Sequence, residues 1–246
     1  MTKSTVKPAN GKLGVLVVGL GAVTSTFMTG VLMARKGLAK PVGSMTQYDK
    51  IRVGKGADKK YLHYKDIVPM ADLNDIVFGA WDVYPANAYQ SAVYAEVLQP
   101  KDIEPVKDEL EKIVPMKAAF DHNYAKRLDG DNVMAGKTRW EMVEQLREDI
   151  RNFKKEKGVD RVVVLWAAST EVYVPVDEKI HGTLEALEAA MKADDKEHIA
   201  PSMCYAYAAL CEGAPFIMGA PNTTVDIPAM WELSEKTGMP ISGKDF

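Results

Sequence analysis

Residues Leu13 to Gly19 read Leu-Gly-Val-Leu-Val-Val-Gly, a glycine turn Leu20-Gly21-Ala22 follows at once, and an apolar segment then runs from about Thr24 to Arg35. A short continuous apolar run suits a strand buried on both faces, as in a parallel sheet, because a half-exposed strand would alternate. The segment after the turn has the length and composition of a buried helix. Strand, glycine turn and buried helix form the opening unit of a doubly wound α/β fold, and few architectures accept that order. An α/β fold, a Rossmann-like doubly wound parallel sheet, is therefore expected. With 246 residues, 47% of them hydrophobic, one large domain has enough apolar material for its core.

The later pattern fits this opening. Further strands are predicted at Asp75–Asp82, Asp160–Trp166, about 215–218 and Met239–Ser242. Pro85 is predicted to open a helix to about Leu98, since a proline near the first turn loses no helical hydrogen bond. Other helical patterns lie at 104–113, 138–157, 182–192, 200–211 and 227–237; the second carries Trp140, Met142, Val143, Leu146 and Ile150 on one stripe. Residues 37–70 differ: Gly, Pro, Lys and Asp are frequent and periodicity is weak, so a solvated loop insertion is expected. Lys55, Lys59 and Lys60 beside Gly54 and Gly56 leave a phosphate-binding loop as the second reading.

Charged residues make up 26% of the chain and the formal net charge is −3, which gives no electrostatic ground for nucleic acid or a membrane surface as partner. Met1 to Lys12 is polar where a secretion signal needs an apolar core, and no run approaches the roughly 20 apolar residues of a membrane span. A cytoplasmic protein is expected. Cys204 and Cys211 lie seven apart on a predicted helix, about 10 Å along its axis and too far for a disulfide. They read as small buried apolar residues. His63, His122, His181 and His198 are scattered singly, so no metal site is expected.

Gly19-Leu20-Gly21-Ala22-Val23-Thr24 holds the first two glycines of a dinucleotide fingerprint, with Thr24 where a third would fall. The first glycine makes the tight turn, the second lets the backbone approach a pyrophosphate, and the helix start supplies N–H groups and a positive dipole end. Thr24, Ser25 and Thr26 add hydroxyls that are candidate phosphate donors. A tight strand–helix turn with no nucleotide role is the alternative. The acid that binds the ribose usually ends the next strand, some 20 residues on. Asp49 has about that spacing but no strand around it, whereas Asp82 ends a convincing strand; a turn or helix-cap role is the other reading of Asp82.

Five segments in order resemble the inositol-3-phosphate synthase (myo-inositol-1-phosphate synthase) family. Val17 to Thr26 resembles its glycine-rich NAD loop, and Gly79-Ala80-Trp81-Asp82-Val83 its Gly-Trp-Asp-Ile segment. Leu165-Trp166-Ala167-Ala168-Ser169-Thr170-Glu171 is similar to Leu-Trp-Thr-Ala-Asn-Thr-Glu, and Gly219-Ala220-Pro221-Asn222-Thr223 to Gly-Ser-Pro-Gln-Asn-Thr. Ile241-Ser242-Gly243-Lys244-Asp245-Phe246 resembles the start of its Gly-Asp-Asp-Phe-Lys-Ser-Gly-Gln-Thr-Lys segment. The resemblance runs from residue 13 to the end and looks like a divergent prokaryotic branch.

The resemblance implies NAD as cofactor. Gly19 would make the turn, with contacts at Gly21, Ala22, Val23, Thr24 and Asp82, at Ala167, Ala168, Ser169 and Thr170, at Gly219 and Ala220, and at Asp245. Val23 and Thr24 replace two asparagines of the family's loop, Ser169 replaces another, and Lys244 replaces an aspartate, so backbone contacts should dominate. The implied reaction is an isomerisation of inositol and phospholipid biosynthesis. Bound NAD oxidises glucose 6-phosphate at C5, an enolate then closes the ring on C1, and the hydride returns. A homo-oligomer is implied, a tetramer in the complete enzyme. The family's Lys-Ser-Gly-Gln-Thr-Lys would begin after Phe246. Residues 1–246 are thus expected to form an NAD(P)-binding domain, with the catalytic and oligomerisation region and a segment completing the nucleotide domain absent after 246. Alone they are expected to bind NAD weakly or not at all and to leave glucose 6-phosphate unconverted, and no catalytic residue is assigned. Two other readings stand: an NAD-dependent dehydrogenase of a small substrate, for which no Ser-Tyr-Lys spacing or well-placed histidine is evident, and a non-catalytic nucleotide-binding module that needs a second chain.

Overall fold

Successive residues of the first strand, β1 (Leu13–Val18), face opposite layers of core, so none of them needs to be polar. Leu16 and Val18 join one cluster and Val17 the other. The computed structural model describes residues 10–245. After β1 come α1 (Ala22–Arg35), β2 (Lys50–Val53), β3 (Lys60–His63), β4 (Ile76–Asp82), α2 (Ala88–Ala95), β5 (Met116–Lys117) and α3 (Arg139–Lys157). Then follow β6 (Arg161–Trp166), α4 (Leu184–Lys192), α5 (Pro201–Cys211), β7 (Phe216–Met218), α6 (Pro228–Thr237) and β8 (Ile241–Gly243).

Six strands form one parallel sheet in the order β5-β4-β1-β6-β7-β8. The chain starts at the centre, works outward through β4 to β5, recrosses β1 to β6, and works outward again to β8. This is the order of two mononucleotide-binding halves joined back to back, with the switch point between β1 and β6. Met28 and Leu32 of α1, Ala88 and Ala92 of α2 and Ile103, Val106 and Leu110 cover one face with Val17, Phe78 and Ala80. Helices α3, α4, α5 and α6 cover the other. Full burial of each large apolar side chain contributes roughly 1.5–3 kcal/mol. Helix α5 is buried all round from Pro201 to Leu210, which explains its nearly unbroken apolar sequence. Its Cys204 and Cys211 are free thiols.

Helix α3 is bounded by its sequence. Thr138 accepts the Glu141 N–H and Glu141 answers at the Thr138 N–H, while Gly158 closes the far end at φ +58°.

Three expectations need correction. Residues 37–70 are not one loop: β2 and β3 pair as an antiparallel hairpin flanked by single helical turns at Met45–Tyr48 and Tyr64–Ile67. No residue of that hairpin is buried, so no core imprints a period on it. The helix expected to start at Pro85 starts three residues later, at Ala88, because Asn87 and Gln90 form a reciprocal capping box, and it stops at Ala95. The helix expected at 104–113 is a chain of single turns from Pro100 to Leu110, interrupted by Pro105, which has no N–H to give.

Candidate functional site

The site lies where the chain leaves β1, beside the ends of β4 and β6. Gly19 turns the chain at φ +93° and gives its N–H to Trp81 O at 2.8 Å. A Cβ on Gly19 would stand 2.6 Å from the Ala168 Cα, so only glycine lets the β1 turn pack against the β6 turn. Gly21 is the N-cap of α1, which has no side-chain cap and no acid in its first turn. The Ser25 N–H reaches back to Gly21 O, so the N–H groups ahead of it have no partner within the helix, and of their residues Ala22 and Val23 are exposed while Thr24 is buried. A Cβ on Gly21 would meet nothing within 4 Å. That space lies open in front of a positive helix end, where an anion is favoured.

Of the hydroxyls expected to face a phosphate, two point inward. Thr24 Oγ1 donates to Gly19 O at 2.5 Å and Ser25 Oγ to Ala22 O at 3.3 Å. Thr24 is buried and therefore braces the turn.

Asp82 ends β4, the strand next to β1. Its carboxylate accepts the Leu20 N–H at 2.5 Å and the Tyr84 N–H at 2.8 Å, tying the glycine turn to the neighbouring strand. Burial pushes its pKa up, opposed by hydrogen bonds from Tyr84, Leu20 and Val83. The helix-cap reading of Asp82 gives way, since Asn87 caps α2. Asp49 is exposed ahead of the hairpin and belongs to no strand of the main sheet.

The structure brings Gly19, Gly21, Ala22, Val23, Thr24, Asp82, Ala167, Ala168, Ser169 and Thr170 together at the carboxyl ends of β1, β4 and β6. Gly219 and Ala220 follow β7, one strand further, and Gly219 N–H binds Trp166 O at 3.0 Å. Asp245 follows β8 at the sheet edge, three strand positions from β1, which is roughly 14 Å at the usual strand spacing. Lys244 is paired there with Asp226.

Several side chains around the site, Asp121, Tyr124, Trp166, Glu171 and Tyr205 among them, lie outside the predicted cofactor contacts. The segment 118–128, which follows β5, covers a cleft also lined by Asp82, Trp166, Ala168, Ser169, Glu171 and Tyr205. The indole N–H of Trp166 is buried in this wall without a partner among the described residues. Asp121 in the cover pairs with the buried Arg139 at 2.6 Å. Glu171 is buried, and burial pushes its pKa up to about 7 against the pull of Ser202 and Arg139. With an ordinary value of 4.5, its contribution to stability is full below about pH 4.5 and is lost as pH rises through about 7. Denaturant midpoints should thus show about 2 kcal/mol less stability at pH 8 than at pH 5.5 from this group, and E171Q should flatten that slope.

The open glycine cradle, the uncapped helix end and the unpartnered indole donor fit a dinucleotide with its pyrophosphate on α1. Among the described residues no group of three or more His, Cys, Asp or Glu is placed to hold a metal ion. Fold and site together define a dinucleotide-binding α/β domain.

Comparison with known proteins narrows the class. A family model for an NAD-binding domain, described as myo-inositol-1-phosphate synthase, matches residues 13–246. The chain belongs to this family and is its NAD-binding part. It is 60% identical to inositol-3-phosphate synthase 1 of Bacteroides thetaiotaomicron over 99% of this chain and 56% of that protein. It is 38% identical to inositol-3-phosphate synthase 1 of Oryza sativa subsp. japonica, over 96% of this chain and 48% of that one. The crystal structure of inositol-3-phosphate synthase from Caenorhabditis elegans superposes with a TM-score of 0.90 at 30% identity, covering 98% of this chain and 50% of that one. The chain spans about half the length of the curated relatives it matches.

Proposed function

We propose that this chain holds NAD across the ends of β1, β4 and β6, as the cofactor-binding part of an enzyme that converts glucose 6-phosphate to inositol phosphate. The observation that carries it is Gly21: its open Cα face lies before an uncapped helix start, at the topological switch point of the sheet. The N–H groups of Ala22 and Val23 would receive the pyrophosphate, with Thr24 holding the turn behind them. Asp82 would take the ribose hydroxyls with the lone pairs left free by Leu20 and Tyr84. Ala167 to Thr170 and then Gly219 and Ala220 would carry the second half of the dinucleotide. Asp245, at the sheet edge, would close the far end of the site.

NAD bound there supplies a hydride acceptor and donor. The remaining chemistry needs cationic groups at the developing enolate and at the phosphate. The ionisable side chains lining the cleft are Asp82, Asp121, Tyr124, Glu171 and Tyr205, and none of them is cationic. Residues 1–246 by themselves are therefore proposed to bind NAD weakly and not to cyclise glucose 6-phosphate. An isomerase role in inositol and phospholipid biosynthesis, a homo-oligomer and a cytoplasmic location accompany this reading through the family resemblance. Among the described residues no helix is long and apolar enough to cross a membrane.

Gly21→Ala tests the reading. Gly21 sits at φ −87° with space around it, so alanine should leave the melting temperature within a degree or two. The added methyl group would stand where the pyrophosphate must approach, and titration calorimetry should show NAD affinity lowered about tenfold or more. Unchanged NAD affinity in G21A, or formation of inositol phosphate by these residues alone at an enzyme-like rate, would count against the proposal.

A further inference from the structure

Four polar side chains, all buried, meet behind the turns that follow β6 and β7: Glu171, Ser202, Asn222 and Thr224. They come from three places in the chain. Glu171 ends the turn after β6, Asn222 and Thr224 follow β7, and Ser202 stands at the start of α5. Glu171 Oε1 accepts the Ser202 N–H at 3.0 Å, and Oε2 accepts the Ser202 hydroxyl and, at 3.2 Å, Asn222 Nδ2. Asn222 Oδ1 in turn accepts the Glu171 N–H at 3.1 Å, so the two residues bind each other twice. The Ser202 hydroxyl also meets Thr224 Oγ1 at 2.5 Å. Helix α5 has no side-chain cap of its own, and Glu171 serves its first turn from outside the helix.

We propose that Glu171 is a positioning residue of the dinucleotide site: its carboxyl group clamps the β6 and β7 turns together against the start of α5. This rests on the NAD reading, because Ala167 to Thr170 and Gly219 to Ala220 are the segments whose separation the clamp sets. The group must be a carboxyl. Each of its oxygens faces an N–H donor, one from Ser202 and one from Asn222. A glutamine of the same shape turns its own NH2 toward one of those donors, and a buried donor against a donor is left unpaired. The carboxyl also keeps its contacts when protonated. Oε2 then donates to Ser202 Oγ while Oε1 still accepts the Ser202 N–H, and the Ser202 hydroxyl turns to Thr224.

The donor pattern supplies its own test, a reciprocal exchange. In E171Q/N222D the amide NH2 introduced at position 171 donates to the new carboxylate at position 222. That carboxylate accepts the backbone N–H of position 171, and the charge moves over by one side chain. Amide hydrogen exchange of residues 167–171 and 219–224 should speed up in E171Q and in N222D and slow again in the double variant. NAD affinity should fall about tenfold in each single variant and return to within about threefold of wild type in the double. Should E171Q alone fail to fold, recovery of a cooperative melting transition in the double variant is the same result. Single variants that exchange and bind NAD like wild type, or a double variant no better than the worse single, would overturn the clamp. Exchange and melting need no ligand. Loss and recovery there, in a chain whose wild type binds no NAD, would defeat the NAD reading and not the clamp.

Discussion

Gly19→Ala should destabilise the chain by about 3 kcal/mol and lower its melting temperature by roughly 5–10 °C. Two independent costs combine. A non-glycine residue at φ +93° is strained by roughly 1–2 kcal/mol. The new Cβ would also stand 2.6 Å from the Cα and 2.8 Å from the N of Ala168, and these are backbone atoms that cannot turn aside. Relief means separating β1 from β6 at the switch point, and overpacking of this kind costs about 1–3 kcal/mol. Urea unfolding followed by circular dichroism measures the loss directly. A G19A chain as stable as wild type would show that the close approach of the two turns is not required. G21A is expected to behave differently: the fold demands Gly19, whereas only the proposed pyrophosphate site demands Gly21.

Arg139→Met should be equally damaging, costing about 3–5 kcal/mol. The Arg139 side chain is 1% exposed; its Nη2 pairs with Asp121, its Nε donates to Ile199 O at 2.8 Å, and its guanidinium lies 5.6 Å from the Tyr124 ring centre. Burial pushes the Asp121 pKa up, but Arg139 and the Asn123 N–H pull it further the other way, so it lies below the ordinary carboxylate value. Methionine fills much of the volume and supplies none of the donors, which strands Asp121 and the Ile199 carbonyl. A second substitution, Asp121→Asn, should recover part of the loss by removing the stranded charge. Because Asp121 lies in the segment that covers the cleft, R139M should also increase proteolytic cutting at 118–128. Stability within 1 kcal/mol of wild type would refute this account.

What the sequence disclosed follows from where each residue is buried. Strands β1, β4 and β6 are covered on both faces and therefore read as apolar runs. Helix α3 announces itself through Thr138, Glu141 and Gly158 because its caps are local in sequence. The β2–β3 hairpin and the two-residue β5 leave no such mark, being exposed or too short for a period to show. In the site, Gly19 and Gly21 were legible because a strand–turn–helix junction is one continuous piece of chain. The usual spacing to a ribose acid falls near Asp49, but the excursion carrying the hairpin delays the neighbouring strand, which ends at Asp82. The Glu171–Asn222 pair, 51 residues apart, exists only because β7 lies beside β6, and nothing local to either residue announces it. The same holds for Asp121 and Arg139.

The central position of β1 also orders events in time. Leu13 pairs with Ile76 on one side and with Arg161 on the other, so β1 waits for about 150 further residues before its second neighbour exists. At ribosomal speeds of about 5–20 residues per second that wait lasts roughly 7–30 s. During it, one edge of an apolar strand has no lawful partner and is open to adhesion between nascent chains. The junction of the β1 and β6 turns thus cannot assemble until β6 has been made, and slowing translation before Arg161 should raise the aggregated fraction without touching any residue of the mature site.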